Sequence, residues 1–344
     1  MEIHSKNDWE KLLDKFANAD FLQSWLWGEF QEQSGNIVFR LSLAEENSLS
    51  LSQCYIVNSR FSKFLYCPRG PLSSAPHCLS LLIEHIIILA KEHSVDFILL
   101  EPSIESDDIA KIIEKKGFSR QTSSTQPEHT SVVLLEPDLN SIYSSFRKTT
   151  RHMIRGALEI NVTIESYDDL SHWKDFLPLL NETAHRQKFT PHSFSYIKKQ
   201  FLAFEKEKNV KLYLATYDKK TIAGAVILSY RKTSTYLHAA SGILSRDSGA
   251  SQLLVWQAIQ DAKRNGNRYF DFWGVAPEHA PHHPWSGISI FKRGFGGNDV
   301  LYPGSFILPI NKFRYMFYRL INFLRYFPVF KKAQRVLLRR IIRG

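Results

Sequence analysis

The sequence predicts an α+β fold made of two successive domains of similar construction. Three observations lead there. A run of strand-like segments, then helix, strand, helix and strand, occurs twice along the 344 residues. In each half an antiparallel meander comes first and a strand–helix–strand unit after it, which is an α+β order. The length is enough for two ordinary domains with a core each. No residue-level repeat accompanies the repeated order.

The first half opens on a helical region, residues 8–35, holding Phe21-Leu22-Gln23-Ser24, Trp25, Trp27 and Phe30. Strand-like segments follow at Ile37–Leu43, Leu51–Asn58 and Lys63–Cys67, the last stopped by Pro68-Arg69-Gly70-Pro71. An amphipathic helix is expected over Cys78–Glu92, a buried strand over Val95–Leu100, a helix over Asp107–Lys116 ended by Gly117, and a strand over Ser131–Leu135. A basic helix from Phe146 to Ala157 then leads into Val162-Thr163-Ile164. A helical region over Asp169–Gln187 should divide near Pro178. Strands are read at Lys211–Thr216, Thr221–Arg231 and Ser234–Ala239, the first pair joined at Asp218-Lys219-Lys220. A long helix over Ser248–Arg264, a strand over Arg268–Phe272, a short helix over Gly287–Phe295 and a strand at Val300-Leu301 complete the second half. The expected division is 1–140 with 303–344 as one domain and 141–302 as the other.

Hydrophobic content of 44% and charged content of 23% suit a globular chain. Cys54, Cys67 and Cys78 lack metal or disulfide spacing and read as reduced core thiols of a cytoplasmic protein. The polar N-terminus does not read as a signal peptide, and the run Leu81–Ala90 is too short to span a bilayer. The formal net charge is +10, and no acidic residue follows Asp299. The last 34 residues hold ten cations, as many as the whole excess. Pro328 is expected to split that tail into two helices. Residues 311–330 should close the first domain's core, leaving 331–344 as an exposed basic end for an anionic membrane surface or for RNA.

The chemistry is expected around Arg268–Gly297. A strand runs into Gly274, an irregular loop holds Pro277, Pro281 and Pro284, and a short apolar helix carries Lys292 and Arg293. Two cations on a short helix read first as surface charge, but the glycines around them suggest close backbone approach to a ligand. His279, His282 and His283 lack the geometry of a metal site, since Pro281 interrupts any shared helix face. No Ser-His-Asp or Cys-His set has local support.

Tyr269-x-Asp271-x-x-Gly274, His283-Pro284, Gly287 and Phe291-Lys292-x-Gly294-Phe295-Gly296 resemble the C-terminal block of the FemABX family. These peptidyltransferases move amino acids from aminoacyl-tRNA to peptidoglycan precursors. Tyr66-Cys67-Pro68-Arg69-Gly70-Pro71 is similar to the family's Y-x-P-R-G-P, and Gln23-Ser24 with Trp27 to its Q-S-x-x-W. The resemblance implies tandem GNAT-like (acyl-CoA N-acyltransferase-like) domains, here of the compact type without a coiled-coil arm. It implies Lys292 as the donor that stabilises the oxyanion, beside Phe291. Glu182-Thr183-Ala184-x-Arg186 resembles a motif whose Arg contacts the precursor's diphosphate, a task suited to a planar fork. Arg69 and Arg151 are further candidates for substrate phosphates, and Tyr236 or His238 for the acceptor pocket.

Two positions depart from the family pattern. Gln31 stands where relatives have a phosphate-binding Lys, and Ser74 where some have an Asp. The expected partners are aminoacyl-tRNA as co-substrate and a nucleotide-linked or lipid-linked muropeptide, with no cofactor and no metal. Peripheral contact with the inner membrane face is expected through the tail. Arg246-Asp247-Ser248-Gly249-Ala250-Ser251 is a near match to the pyrophosphate loop of acyl-CoA enzymes and keeps a GNAT N-acyltransferase as one alternative. A non-enzymatic RNA- or membrane-binding protein on this scaffold is the other.

Overall fold

The structure is a computed structural model that describes residues 1–45, 47–103, 107–187 and 192–325. The chain divides into two compact units, Met1–Ser124 with the segment from Pro303 onward, and Thr125–Tyr302.

The first unit begins with α1 (Lys6–Leu13), a 3-10 turn at Phe21–Gln23 and α2 (Trp25–Gln33). The single helical region expected over 8–35 is therefore broken. Two side-chain caps restart the chain: the Asp20 carboxylate accepts from Leu22 N at 2.9 Å, and Ser24 Oγ accepts from Trp27 N at 3.1 Å. Strands β1 (Ile37–Glu45), β2 (Ser48–Asn58), β3 (Lys63–Pro68) and β4 (Leu72–Ser73) precede α3 (Pro76–Glu92). Then come β5 (Phe97–Glu101), α4 (Asp107–Lys115) and β6 (Ser119–Arg120). Leu79, Leu82, Ile83 and Ile86 of α3 bury against Cys54, Ile56, Leu65 and Ile98 of the sheet. This is the amphipathic face that the sequence spacing announces.

The second unit comprises β7 (His129–Leu134), α5 (Leu139–Ser145), α6 (Lys148–Glu159), β8 (Thr163–Tyr167), α7 (Trp173–Gln187) and α8 (Phe194–Glu205). It continues with β9 (Val210–Tyr217), β10 (Lys220–Tyr230), β11 (Thr233–Ser241), α9 (Ser245–Ser248) and α10 (Ala250–Arg264). β12 (Tyr269–Gly274), α11 (Ser286–Arg293) and β13 (Asn298–Leu301) end it. Its sheet order is β13-β7-β12-β11-β10-β9-β8. Because β7 pairs with both β12 and β13, residues 125–140 belong here and not to the first domain, where the sequence division put them. α7 passes through Pro178 without dividing, since Phe176 and Leu179 are buried on either side of the proline and hold both halves down. α8 was not foreseen.

The chain then returns to the first unit. β14 (Phe306–Pro309) inserts between β5 and β6, and α12 (Lys312–Arg325) follows. The first sheet thus runs β1-β2-β3-β5-β14-β6, with β4 on β2. Ile310 N and Asn311 N both donate to Asp96 O at 2.9 Å, and Arg314 Nε lies 3.0 Å from the buried Asp96 carboxylate. Tyr315 is buried and packs on Phe97. The opposite face of α12 is not covered as expected: Phe313 is 81% exposed and Met316 69%. The basic end expected at 331–344 lies outside the described residues.

Each sheet holds a parallel pair where its meander meets the following strand. In the first unit β3 and β5 stay in register over five residues, Phe64↔Phe97 to Pro68↔Glu101. In the second, β11 and β12 pair only from Thr233↔Tyr269 to Thr235↔Asp271. Beyond that point the strands separate. Trp273 takes φ 59 and Gly274 follows, which turns β12 away while β11 continues to Ser241. The gap is where the second unit opens.

Candidate active site

The opening is a cavity of about 590 Å³, within the range of small-molecule sites. β11 contributes Tyr236, Ala239, Ala240 and Ser241, and α7 contributes Thr183 and Arg186. Arg246, Ser251 and Gln252 come from α9 and the first turn of α10, and Gly287, Ile288 and Phe291 from α11. Four of the eight residues expected from the sequence, Thr183, Arg186, Tyr236 and Phe291, therefore share one lining.

Thr183 and Arg186 are set by the end of β11. Thr183 Oγ1 donates to Ser241 O at 3.1 Å and accepts from Ser241 N at 2.9 Å, replacing the strand partner that Ser241 lacks on that side. One turn on, Arg186 Nη2 donates to Ser241 Oγ at 3.1 Å. Its Nη1 lies 3.5 Å from Glu182 Oε1, which also accepts from Ile243 N at 2.8 Å. Such a half-exposed pair contributes little to stability. Its effect is to hold the guanidinium in place on the cavity lining. Arg246, singled out only as part of an acyl-CoA loop, brings a second guanidinium to the same lining.

Tyr236 and His238 are two residues apart on one strand, so both would normally share a face. They do not. β11 pairs Val226↔His238 and then Ile227↔Tyr236, leaving Leu237 as an extra residue in a bulge. Tyr236 points into the core layer with Phe272, their rings 5.8 Å apart, and reaches the cavity. His238 turns to the other face, where its Nε2 bonds Gln200 Oε1 at 2.7 Å. Burial pushes the His238 imidazole down to about 3, so it stays neutral and Nε2 carries the donated proton. The acceptor-pocket role expected for His238 is not one this geometry offers. Burial raises the Tyr236 phenol well above its ordinary value, which keeps it protonated.

Lys292 is on α11 but not in the lining. Gly287, Ile288 and Phe291 face the cavity, whereas Ser289 and Lys292 form the helix's buried face. Lys292 is 6% exposed, and its Nζ donates to Gly274 O at 2.7 Å, where β12 turns away. Ser289 Oγ accepts from Ala276 N at 2.7 Å and so fixes the next residues of that turn. Burial pushes the Lys292 ammonium down to about 8, opposed by the negative charge of Asp271. Asp271 is itself bonded by Thr130 Oγ1 and, at 2.7 Å, by Trp273 N. Phe291 and Phe295 pack edge to face at 5.4 Å and continue the aromatic wall through Phe272.

The other two candidates are elsewhere. Arg151 Nη1 donates to Ser144 O at 2.6 Å and also to Phe146 O, which ties the end of α5 to α6. Both carbonyls belong to the helix end and its cap, a structural use of a cation. Arg69 belongs to the first unit, where it is buried at φ 52. Beside it Gln23 Nε2 donates to Pro68 O at 2.6 Å, so two motifs noted in the sequence form one structural joint. Gln31 accepts from Asn36 Nδ2 at 2.8 Å and is buried, which makes it a packing residue.

The loop that resembles an acyl-CoA pyrophosphate loop lines the cavity through Arg246 and Ser251, and is partly engaged by the protein itself. Ser245 N and Arg246 N donate to Gly242 O and Ile243 O as α9 begins. Gly249 sits at φ +71, and a Cβ there would lie 2.1 Å from the Met153 carbonyl of α6. The main-chain donors that an acyl-CoA pyrophosphate needs are partly consumed and partly backed by a helix.

A family model described as FemAB matches residues 113–221 and 215–322. The chain belongs to the FemAB family. A lipid II:glycine glycyltransferase of Staphylococcus saprophyticus is 24% identical over 229 residues, 61% of this chain and 55% of that protein. This FemAB chain spans about half the length of the curated relatives it matches. The solved structure of FemX matches with a TM-score of 0.82 at 18% identity, covering 92% of this chain and 99% of that one. A tandem GNAT protein from the clavulanic acid biosynthesis pathway matches with a TM-score of 0.56 at 9% identity, covering 88% of this chain and 94% of that one. Both units of this FemAB protein accordingly carry the GNAT-like fold.

Proposed function

We propose that the chain is a peptidoglycan aminoacyltransferase that joins an amino acid from aminoacyl-tRNA to an amine on the stem peptide of a lipid-linked precursor. The observation that carries this reading is the cavity at the parted end of β11, with Arg186, Arg246 and Tyr236 on one lining. Two guanidiniums suit an anionic group such as a diphosphate. The choice of a lipid-linked acceptor follows the relatives, which are glycyltransferases acting on lipid II.

The chemistry needs no added cofactor, because the aminoacyl ester is already activated. The precursor's amine attacks the ester carbonyl, a C–N bond forms, and the tetrahedral intermediate carries an oxyanion. Collapse breaks the ester C–O bond, and the tRNA ribose oxygen leaves with the proton lost by the amine. Tyr236, on the lining and kept protonated by burial, serves as the donor to that oxyanion. Lys292 supports the same site from behind by holding Gly274 O where β12 turns. A buried cation held at an electrostatic cost, beside a cavity, is the pattern of a working site.

The test is incorporation of labelled amino acid from charged tRNA into the lipid-linked precursor, comparing the native protein with Arg186→Ala. Labelled product from the native protein, with a raised precursor KM in the variant, supports the reading. No product, or identical kinetics in the variant, contradicts it.

A further inference from the structure

α12 carries its apolar residues on the wrong side for a helix that only closes a core. Phe313, Met316, Phe317, Leu320 and Phe323 are 81%, 69%, 54%, 52% and 61% exposed. Their spacing of three, one, three and three residues places them on one continuous helix face. The opposite face is the docked one, through Tyr315 and Tyr318 against Phe97. Single exposed apolar residues are ordinary, but a contiguous row of five large ones marks an interaction surface.

The charges say what kind. At 100° per residue, Lys312 and Arg319 border the apolar arc on one edge and Arg314 borders it on the other. From residue 300 onward the chain contains no Asp or Glu. A protein partner with a mixed surface would not call for such one-sided charge. An anionic lipid surface offers an apolar layer beneath a negative one, matched to a Phe- and Leu-bearing arc with a cationic border. Arg314 also ties the helix to the body through Asp96, so the arc is presented on a fixed support. No helix among the described residues is long and apolar enough to cross a membrane, which leaves an in-plane seat as the mode of contact.

We propose that α12 lies in the interface of an anionic bilayer, with Phe313, Met316, Phe317 and Leu320 in the acyl boundary and Lys312 and Arg319 at the headgroups. The membrane is chosen over other partners partly on the lipid-linked acceptor proposed above. The contact itself is testable with plain lipids, so its failure and the failure of the transferase reading are distinguishable.

The test uses the full chain with Met316→Cys carrying an environment-sensitive NBD label. Cys54, Cys67 and Cys78 are all buried, so labelling is confined to position 316. Vesicles of phosphatidylglycerol and phosphatidylcholine should blue-shift and brighten the label, and pure phosphatidylcholine vesicles should do so at least tenfold less efficiently. Phe313→Ser/Phe317→Ser/Leu320→Ser in the unlabelled protein should weaken sedimentation with the anionic vesicles at least tenfold. Its thermal melt should be unchanged, because all three side chains are exposed. Three results overturn the proposal. One is a label already blue-shifted without lipid and unmoved by vesicles, which means the chain itself covers the face. Another is a lipid-independent shift that grows with protein concentration, which means a second copy does. The third is vesicle binding that leaves the label in water or survives the triple substitution, which places the contact elsewhere.

Discussion

Replacing Lys292 by Met should make the protein more stable at neutral pH while impairing it. The side chain is 6% exposed and its ammonium is pushed down from 10.5 to about 8. That gap corresponds to about 3 kcal/mol, to order of magnitude. Below pH 8 both the folded and the unfolded chain hold the proton, and the full cost of burying the charge is present. Between about 8 and 10.5 the folded protein has released a proton that the unfolded chain still binds, so native stability from this group rises with pH. Above 10.5 both forms are neutral and the cost has vanished. Met of similar length carries no such cost but leaves Gly274 O without its donor, a loss of about 1–2 kcal/mol. The variant should therefore gain roughly 1–2 kcal/mol at pH 7 and lose about as much near pH 10.5, crossing between. Urea denaturation followed by circular dichroism at pH 7 and at a series of values up to 10 measures the difference. A variant less stable at pH 7, or a difference that does not change with pH, would refute the account of Lys292 as a buried cation held at a cost.

The other predictions concern the cavity and its frame. Lys292→Met should lower transfer by up to roughly a hundredfold, because the turn at Gly274 that frames the cavity loses its donor and shifts, and near-native turnover would remove Lys292 from any positioning role. Tyr236→Phe should leave the thermal melt close to that of the native protein yet reduce kcat about a hundredfold to a thousandfold, the range expected for a lost oxyanion donor; unchanged kcat would exclude the hydroxyl. Arg186→Lys should already raise the precursor KM, since a point charge does not reproduce the fork; calorimetric titration that finds equal affinity would refute a diphosphate contact. His238→Ala should cost about 1 kcal/mol of stability through the lost Gln200 bond and leave the KM for both substrates alone, so a kinetic defect in a folded variant would contradict its placement. Gly249→Ala should destabilise the second unit by about 3 kcal/mol or more, because a left-handed φ and a backbone clash combine; a thermal melt like that of the native protein would show that α6 can yield.

The sequence shows more of the fold than of the site, for physical reasons visible at particular residues. Alternation and helical spacing are local, so α3, β2 and α10 are legible where they occur. The broken helix at Asp20 and Ser24 is less so, because the apolar aromatic run masks two caps that end it. α7 continues through Pro178 because burial on both sides outweighs one missing hydrogen bond. Thr183 and Arg186 are singled out by the resemblance of Glu182-Thr183-Ala184-x-Arg186 to a family motif, and both line the cavity. The Tyr236 and His238 pair is not separable by sequence, since a one-residue bulge at Leu237 changes which side chain faces which layer. Arg151 carries charge in a family-like motif, yet its bonds to Ser144 O and Phe146 O give it structural work that a motif does not reveal. Arg246 could have been found from the sequence as a cation at the start of a helix, but only the three-dimensional lining sets it beside Arg186. The exposed arc of α12 is present in the spacing from Phe313 to Phe323; which face docks is decided by Tyr315 and Asp96.

The most direct test of the central claim offers the purified protein both candidate donors at once. Charged tRNA and acetyl-CoA are supplied with the lipid-linked precursor, and the stem peptide is analysed by mass spectrometry. The account predicts a mass increase of one aminoacyl residue on a stem-peptide amine, abolished by prior deacylation of the tRNA. An acetyl increment, or an unmodified precursor alongside intact aminoacyl-tRNA, would contradict it.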